Sequence, residues 1–110
     1  MNLTRRPRRL RTTAAMRALT AETALRPEQL IQVFFVRDGI SEPQPIASMP
    51  GQYQHTLESL IPAVRQAAEA GIKCIDLFGV PLDDDKDEVG SAAWADNGIL
   101  NRAIAACRAE

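Results

Sequence analysis

Acidic side chains crowd one short stretch of this 110-residue chain, DDDKDEVGSAAW at positions 83–94. Carboxylate oxygens are the ligands that Ca²⁺ and Mg²⁺ prefer, so Asp83–Glu88 is a candidate metal loop. The stretch lacks the regular ligand spacing of a dedicated calcium loop, and its like charges repel one another. We therefore expect a solvated connection rather than a metal centre.

The chain has two lysines, Lys73 and Lys86, and a lysine amine can form a Schiff base with a carbonyl compound. Such a lysine needs a lowered pKa, usually from burial or a neighbouring cation. The carboxylates around Lys86 stabilise its charged form instead, and Lys73 opens a strand pattern where it is expected to face solvent. We predict that neither lysine is catalytic.

Four other residues could take part in chemistry. His55 is the only histidine and has no partner in motif spacing, which favours a loop or helix-start position over a base. Cys74 and Cys107 are too far apart in the sequence for a zinc site, so burial in a reducing cytoplasm is the expected state. Asp76 interrupts an apolar run, where a charged group must pair or shift its pKa, and structural pairing is favoured over a functional role.

Basic residues crowd the start of the chain, although the net charge is −1 and offers no global field for nucleic acid or membranes. Residues 1–28 are predicted to form an arm with one short helix capped by Thr13. Pro7 and the absence of serine before Ser41 argue against an organellar transit peptide, and no apolar stretch reaches the ~18 residues of a membrane span. Five arginines lie within the first eleven residues and could also bind phosphate backbones: Arg5, Arg6, Arg8, Arg9 and Arg11.

Strand and helix patterns alternate after the arm. The apolar run LIQVFFV at 30–36 predicts a strand covered on both faces, and the Gly- and Pro-rich segment 37–52 predicts a loop. A helix follows, in which Pro62 either introduces a kink or delays the start to Ser59, and Gly71 ends it. IKCIDLFGV at 72–80 is the second predicted strand.

A last helix is predicted within 97–109, with Asp96 as its cap. This order predicts an α/β fold with a parallel sheet. Two strands alone leave an unpaired edge and an uncovered face, so residues 29–110 are interpreted as the opening portion of a larger sheet.

Five segments in this order resemble the porphobilinogen synthase (5-aminolevulinate dehydratase) family of the bacterial type. The resemblance runs from Arg6 to about Ala109, with departures at Gln32-Val33, Pro62 and Asp76. The segments are RPRRLR with ALTAET, LIQVFFV, SMPGQY, AGIKCIDLFGV, and DEVGSAAW with DNGILNRAI.

The resemblance implies a (β/α)₈ TIM barrel preceded by an arm that embraces a neighbouring subunit, commonly in an octamer. Residues 1–28 would be that arm, and 29–110 the first two strand–helix units. It also implies a cytoplasmic lyase of heme and porphyrin biosynthesis that condenses two 5-aminolevulinate molecules into porphobilinogen. Two lysines would form Schiff bases, and zinc on a cysteine-rich loop, or magnesium, would be the metal.

None of the family's catalytic, cofactor-binding or metal-binding residues can be carried onto a position of this chain, because the family's lysines and cysteines are expected beyond residue 110. The chain alone is therefore expected to be inactive. Two other functions stay open at this point: a non-enzymatic fragment that acts in subunit assembly, and a nucleic-acid binder that uses the basic arm.

Overall fold

The computed structural model describes residues 8–109, so the predicted contributions of Arg5, Arg6 and Pro7 lie outside the described residues. The arm contains a 3₁₀ turn at Arg9–Arg11 and helix α1 at Ala14–Leu19. Thr13 caps α1 as predicted, because its side-chain oxygen accepts a hydrogen bond from the Met16 amide at 3.1 Å. All arm residues from 8 to 28 are exposed except Met16, which is partly buried.

The two predicted strands are present and adjacent. Strand β1 spans Ile31–Arg37 and follows a 3₁₀ turn at Pro27–Gln29. It pairs in parallel with the strand at Cys74–Val80 through seven register pairs, from Ile31–Cys74 to Arg37–Val80. A parallel pair needs a crossover connection, and the helix between the two strands supplies it.

The segment predicted to be a loop contains further strand structure. Strands β2 (Gln44–Pro45) and β3 (Tyr53–His55) form an antiparallel hairpin, and β3 pairs in parallel with the end of β1. Cys74–Val80 is therefore β4, and the sheet order is β2-β3-β1-β4. The prediction of a plain loop over 37–52 is wrong in this respect. The placement of His55 in a loop or at a helix start is also wrong, because His55 ends β3.

Helix α2 spans Leu57–Glu69 and begins at a capping box. The Ser59 amide donates to the Thr56 side chain, and the Thr56 amide donates to the Ser59 hydroxyl, both at 3.0 Å. The expectation that Pro62 delays the start to Ser59 is wrong. The proline sits inside the helix and removes a single intrahelical donor close to its start.

Gly71 ends α2 as predicted. Its φ of 94° lies in the left-handed region. The Ile72 amide reaches back to the Ala67 carbonyl at 3.1 Å and the Gly71 amide to the Ala68 carbonyl at 3.0 Å. This pair of bonds is the Schellman motif, which satisfies carbonyls at the end of a helix.

Helix α3 spans Ile99–Arg108, and its cap residue is Gly98 rather than the predicted Asp96. No side chain caps this helix. A glycine is required at 98 because a Cβ there would lie 2.5 Å from the Ala92 carbonyl oxygen. The compact 3₁₀ turn at Ser91–Ala93 thus takes the space that a capping side chain would need.

The core lies on one face of the sheet, where α2 and α3 pack. Its buried members are Phe34, Val36, Leu60, Ile99 and Ala103. The register pairs place Val33, Phe35 and Arg37 of β1 on the opposite face, which we call the inner face.

The inner face is largely open. Ile31, Cys74, Asp76 and Phe78 are exposed there, so the prediction of strands covered on both faces is wrong for this chain. The physical reason is that both helices pack on the same side. Within residues 8–109, no helix combines the length and the apolar character that crossing a bilayer requires.

Candidate functional site

The carboxyl ends of β1 and β4 meet at one edge of the sheet, because the two strands are parallel and in register. The loops after these strands and the first turns of α2 and α3 surround this edge. Two shallow cavities of about 250 and 550 Å³ open there and share Asp38, Ile99 and Arg102. This edge is the candidate site, since active sites of parallel α/β folds form beyond the carboxyl ends of the strands.

Two arginines point at this edge and have different partners. Arg102, on the first turn of α3, makes an ion pair of 3.1 Å with Asp38, just after β1. Arg37 ends β1 on the inner face and donates from Nη1 to the Gln54 side-chain oxygen at 3.0 Å. Gln54 lies on the same face because it pairs with Phe35 in the sheet. The site therefore has one neutralised guanidinium and one bonded only to an amide.

The acidic loop follows β4 and is exposed along 82–90, as the expectation of a solvated connection requires. Its first part is a 3₁₀ turn at Asp83–Asp85. Lys86 binds the Asp83 carboxylate at 2.6 Å. The hydrogen bond and the charge of Lys86 lower the pKa of Asp83, and the charge of Arg37 adds to this effect. A lysine with a carboxylate partner is stabilised in its charged form, which makes it a weak nucleophile.

Asp87 has a structural role that the sequence did not reveal. Its carboxylate accepts hydrogen bonds from both the amide and the hydroxyl of Ser91, and the amide contact measures 2.9 Å. The bonds from Ser91 lower the pKa of Asp87. Asp87 thereby fixes the Ser91–Ala93 turn that precedes α3, although its side chain is exposed.

His55 lies where β3 passes into α2. Its ring meets Phe34 edge-on at 5.9 Å between centroids, and its Nδ1 lies 3.3 Å from the Ser59 hydroxyl. Burial lowers the pKa of His55, so the neutral ring is favoured in the folded chain. These contacts fix the hairpin to the start of α2.

The cysteines are not the pair of buried residues that the sequence predicted. Cys74 is exposed on the inner face at the start of β4, and Cys107 is partly buried on α3. Burial raises the pKa of the Cys107 thiol. In the part of the chain that the structure describes, no group of three or more His, Cys, Asp or Glu side chains is placed to hold a metal ion.

Asp76 and Lys73 both face solvent. Asp76 pairs with Val33 in the sheet and lies on the open inner face. The expectation that its carboxylate lies in a covered strand is therefore wrong here. Lys73 is exposed just before β4, as predicted. It lies at the opposite end of β4 from the candidate site.

Sequence reasoning missed Arg37, Gln54 and the Asp38–Arg102 pair. The two members of that pair are 64 residues apart, so no local pattern joins them. Arg37 did carry a signal, because it is the charged residue that ends an apolar strand pattern. Gln54 could not be found, since β3 is only three residues long.

Comparison with known proteins gives concordant matches. A family model described as delta-aminolevulinic acid dehydratase matches residues 4–110. The protein of that name from Mycobacterium tuberculosis (strain ATCC 25618 / H37Rv) is 57% identical over 99 residues, covering 90% of this chain and 30% of the relative. The one from Streptomyces coelicolor is 53% identical over 105 residues, covering 96% and 32%. The chain thus spans about three-tenths of the length of these relatives.

A solved structure extends the likeness to the fold. It is the delta-aminolevulinic acid dehydratase (porphobilinogen synthase) of Toxoplasma gondii ME49 in complex with the reaction product porphobilinogen. The TM-score is 0.88 at 36% identity, and the match covers 97% of this chain and 30% of the other. These matches support neither an assembly fragment nor a nucleic-acid binder as the function of this chain.

Proposed function

This chain belongs to the delta-aminolevulinic acid dehydratase family, and we propose that it builds the opening part of an enzyme that condenses two 5-aminolevulinate molecules into porphobilinogen. Its fold is the opening portion of the α/β barrel of that family. In this proposal residues 1–28 are the arm, and residues 29–110 are the first two strand–helix units. The reaction is a lyase step of heme and porphyrin biosynthesis.

One observation carries this proposal. β1 and β4 pair in parallel over seven residues, and α2 and α3 pack on one face. The opposite face is open and mostly apolar, with Asp76 and Arg37 as its charged residues on these two strands. A barrel strand pair needs this division, because its outer face meets helices and its inner face meets the other strands. Phe35 and Phe78 stack on the inner face with centroids 5.5 Å apart, as in a layer of a barrel interior.

The role proposed for this chain in catalysis is to shape the site, without supplying the Schiff-base lysine. Lys86 is bonded to Asp83, and Lys73 lies at the amino end of β4, away from the edge where barrel active sites form. Neither lysine therefore has the environment that imine formation requires.

Family membership implies a metal, zinc or magnesium, but the residues described here do not fit one. No three donor side chains of the types a metal prefers converge among residues 8–109. Cys74 and Cys107 lie on different elements, on the inner face and on α3, and form no pair. None of the chemistry proposed for this chain passes through a metal.

The arm is proposed to bind another subunit of the same protein in a homo-oligomer. Three leucines of its described part are exposed: Leu10, Leu19 and Leu25. Exposed leucines gain stability by packing against a partner surface. We also propose that the protein acts in the cytoplasm, because an exposed free thiol such as Cys74 suits a reducing compartment.

A chimera tests the function. The matching 99 residues of the Mycobacterium tuberculosis relative would be replaced by those of this chain, and porphobilinogen formation from 5-aminolevulinate measured beside the unaltered relative. We expect the chimera to form porphobilinogen. A chimera that folds and assembles like the relative but forms none would refute the proposal.

Borohydride trapping tests the role of the lysines. We expect no reduced adduct on Lys73 or Lys86 when this chain is treated with 5-aminolevulinate and borohydride, because Lys86 is bonded to Asp83 and Lys73 lies away from the candidate site. The unaltered relative treated in parallel is the positive control. Mass spectrometry that finds an adduct on either lysine would show that this chain carries a nucleophile after all.

A further inference from the structure

We propose that Arg37, supported by Gln54, is a carboxylate-binding residue that contacts the substrate's carboxyl group at the mouth of the site. The inference rests on the proposed function for the identity of the substrate, a small keto acid with an amino group. The geometry of the pair is independent of that identity. Arg37 would act as a specificity residue, because it distinguishes an acid from its neutral analogues.

Arg37 lies at the carboxyl end of β1. It is the last residue of β1, and its register partner Val80 is the last residue of β4. Both therefore lie at the carboxyl edge, where side chains at strand ends meet ligands. Alternation along β1 puts Arg37 on the same face as Phe35, which is the inner face.

Most N–H donors of Arg37 have no partner among the described residues. Its one hydrogen bond among the described residues runs to the neutral amide of Gln54, and no carboxylate in residues 8–109 forms an ion pair with it. Asp83 is close enough for Arg37 to lower its pKa, but that carboxylate is already bonded to Lys86. A guanidinium has five N–H donors, so at least four remain available for an incoming anion.

Two aromatic side chains lie on the inner face close to Arg37 along the strands. Phe35 and Phe78 stack on the inner face one alternation down the strands, and Phe78 is 49% exposed. A guanidinium on the same face as two phenyl rings can offer a charged contact and an apolar one to a single short ligand. A small aliphatic acid matches this arrangement, because its carboxylate can take two N–H bonds while its methylene groups lie on the rings.

A purely structural role is the competing explanation. Arg37 ties β3 to β1 through Gln54, and that hydrogen bond alone could explain its presence. The neutral partner argues against this, because burying or half-burying a guanidinium beside an amide gains less than an ion pair does. Arg102 is an arginine with a structural role at the same edge, because its ion pair with Asp38 holds the loop after β1.

Titration of this chain with levulinate tests the inference. Levulinate has the keto acid skeleton without the amine, and NMR would follow the side-chain signals of Arg37 and Gln54. We expect saturable shifts in the millimolar range, and a dissociation constant at least about 10-fold weaker in Arg37→Gln, because a charge-assisted bond pair is lost. Arg37→Lys keeps the charge and should retain part of the affinity.

Matched controls separate binding from folding. Arg108→Gln removes an exposed arginine from the last turn of α3, away from this edge, and should leave the dissociation constant unchanged. The neutral ketone 2-pentanone should not shift the Arg37 signal. Equal levulinate binding in Arg37→Gln, equal shifts with 2-pentanone, or no shift at Arg37 up to about 100 mM would each overturn the inference.

The levulinate titration and the chimera experiment can each fail without the other failing. An inactive chimera would refute the proposed function and leave a positive levulinate titration standing. An active chimera in which Arg37→Gln leaves the KM for 5-aminolevulinate unchanged would refute the role of Arg37 while the proposed function stands.

Discussion

Truncating Leu60 to alanine should remove most of the stability of this chain. Leu60 lies on α2 and is 0% exposed. It belongs to a core cluster that includes Val36 of β1 and Ile99 of α3, so its side chain joins the sheet to both helices. No other described leucine is fully buried. The cavity left by its loss would open at the centre of the only core in the described residues.

The expected magnitude follows from the size of that core. A buried Leu→Ala change costs about 2–5 kcal/mol, and a site enclosed by sheet and helices relaxes only partly. A chain of this length has about 5–15 kcal/mol of stability, and the lower end applies here because just five side chains are buried among residues 8–109. We expect a loss of about 3 kcal/mol, which lowers the Tm by about 12–24 °C.

Circular dichroism during heating and urea denaturation measures this loss. The matched control is Leu19→Ala, the same change at a side chain that is 79% exposed on α1. It should alter the free energy of unfolding by no more than about 0.5 kcal/mol. Two variants with midpoints within about 3 °C of each other would refute the assignment of Leu60 to the core.

Two further predictions concern helix docking and pH. Gly79→Ala should cost about 1–3 kcal/mol in urea denaturation, because the new Cβ would lie 2.8 Å from the Leu100 Cβ of α3. Leu100→Ala should not rescue it, since alanine keeps that Cβ; a full rescue would contradict the contact. The unfolding free energy should fall as pH drops from 7.5 to 5.5, because burial lowers the pKa of His55 below its unfolded value of 6.5 and the unfolded chain then takes up the proton more readily. His55 is the only histidine, so His55→Asn should flatten this dependence, and an unchanged slope would rule out His55 as its source.

The longer elements could be predicted because each repeats its pattern over several turns or pleats. The apolar runs before Arg37 and Val80 became β1 and β4. Thr13 begins α1 and Gly71 ends α2 by chemistry that is local to a few residues. Local capping chemistry did not predict the start of α3 correctly. Asp96 is a good capping residue, but the packing of Gly98 against the Ala92 carbonyl decides where the helix begins.

The hairpin could not be predicted because its strands are too short for alternation to appear. β2 has two residues and β3 has three, and both are defined by their pairing partners rather than by their own side chains. Pro45 pointed away from a strand, yet a proline is tolerated on an edge strand such as β2. The Arg37–Gln54 contact depends on this hairpin, so it could not be predicted from the sequence for the same reason.

The inner face explains why burial was predicted where exposure is found. The apolar residues of β1 and β4 were expected to be covered on both sides, but in this chain only the side that meets α2 and α3 is covered. A hydrophobic pattern records which surfaces suit burial, and the partner that buries them is a separate matter. Asp76 is the exception within that pattern, because its carboxylate stays solvated on the open face. In a closed barrel the same carboxylate would need a cation beside it, since an unpaired buried charge costs several kcal/mol.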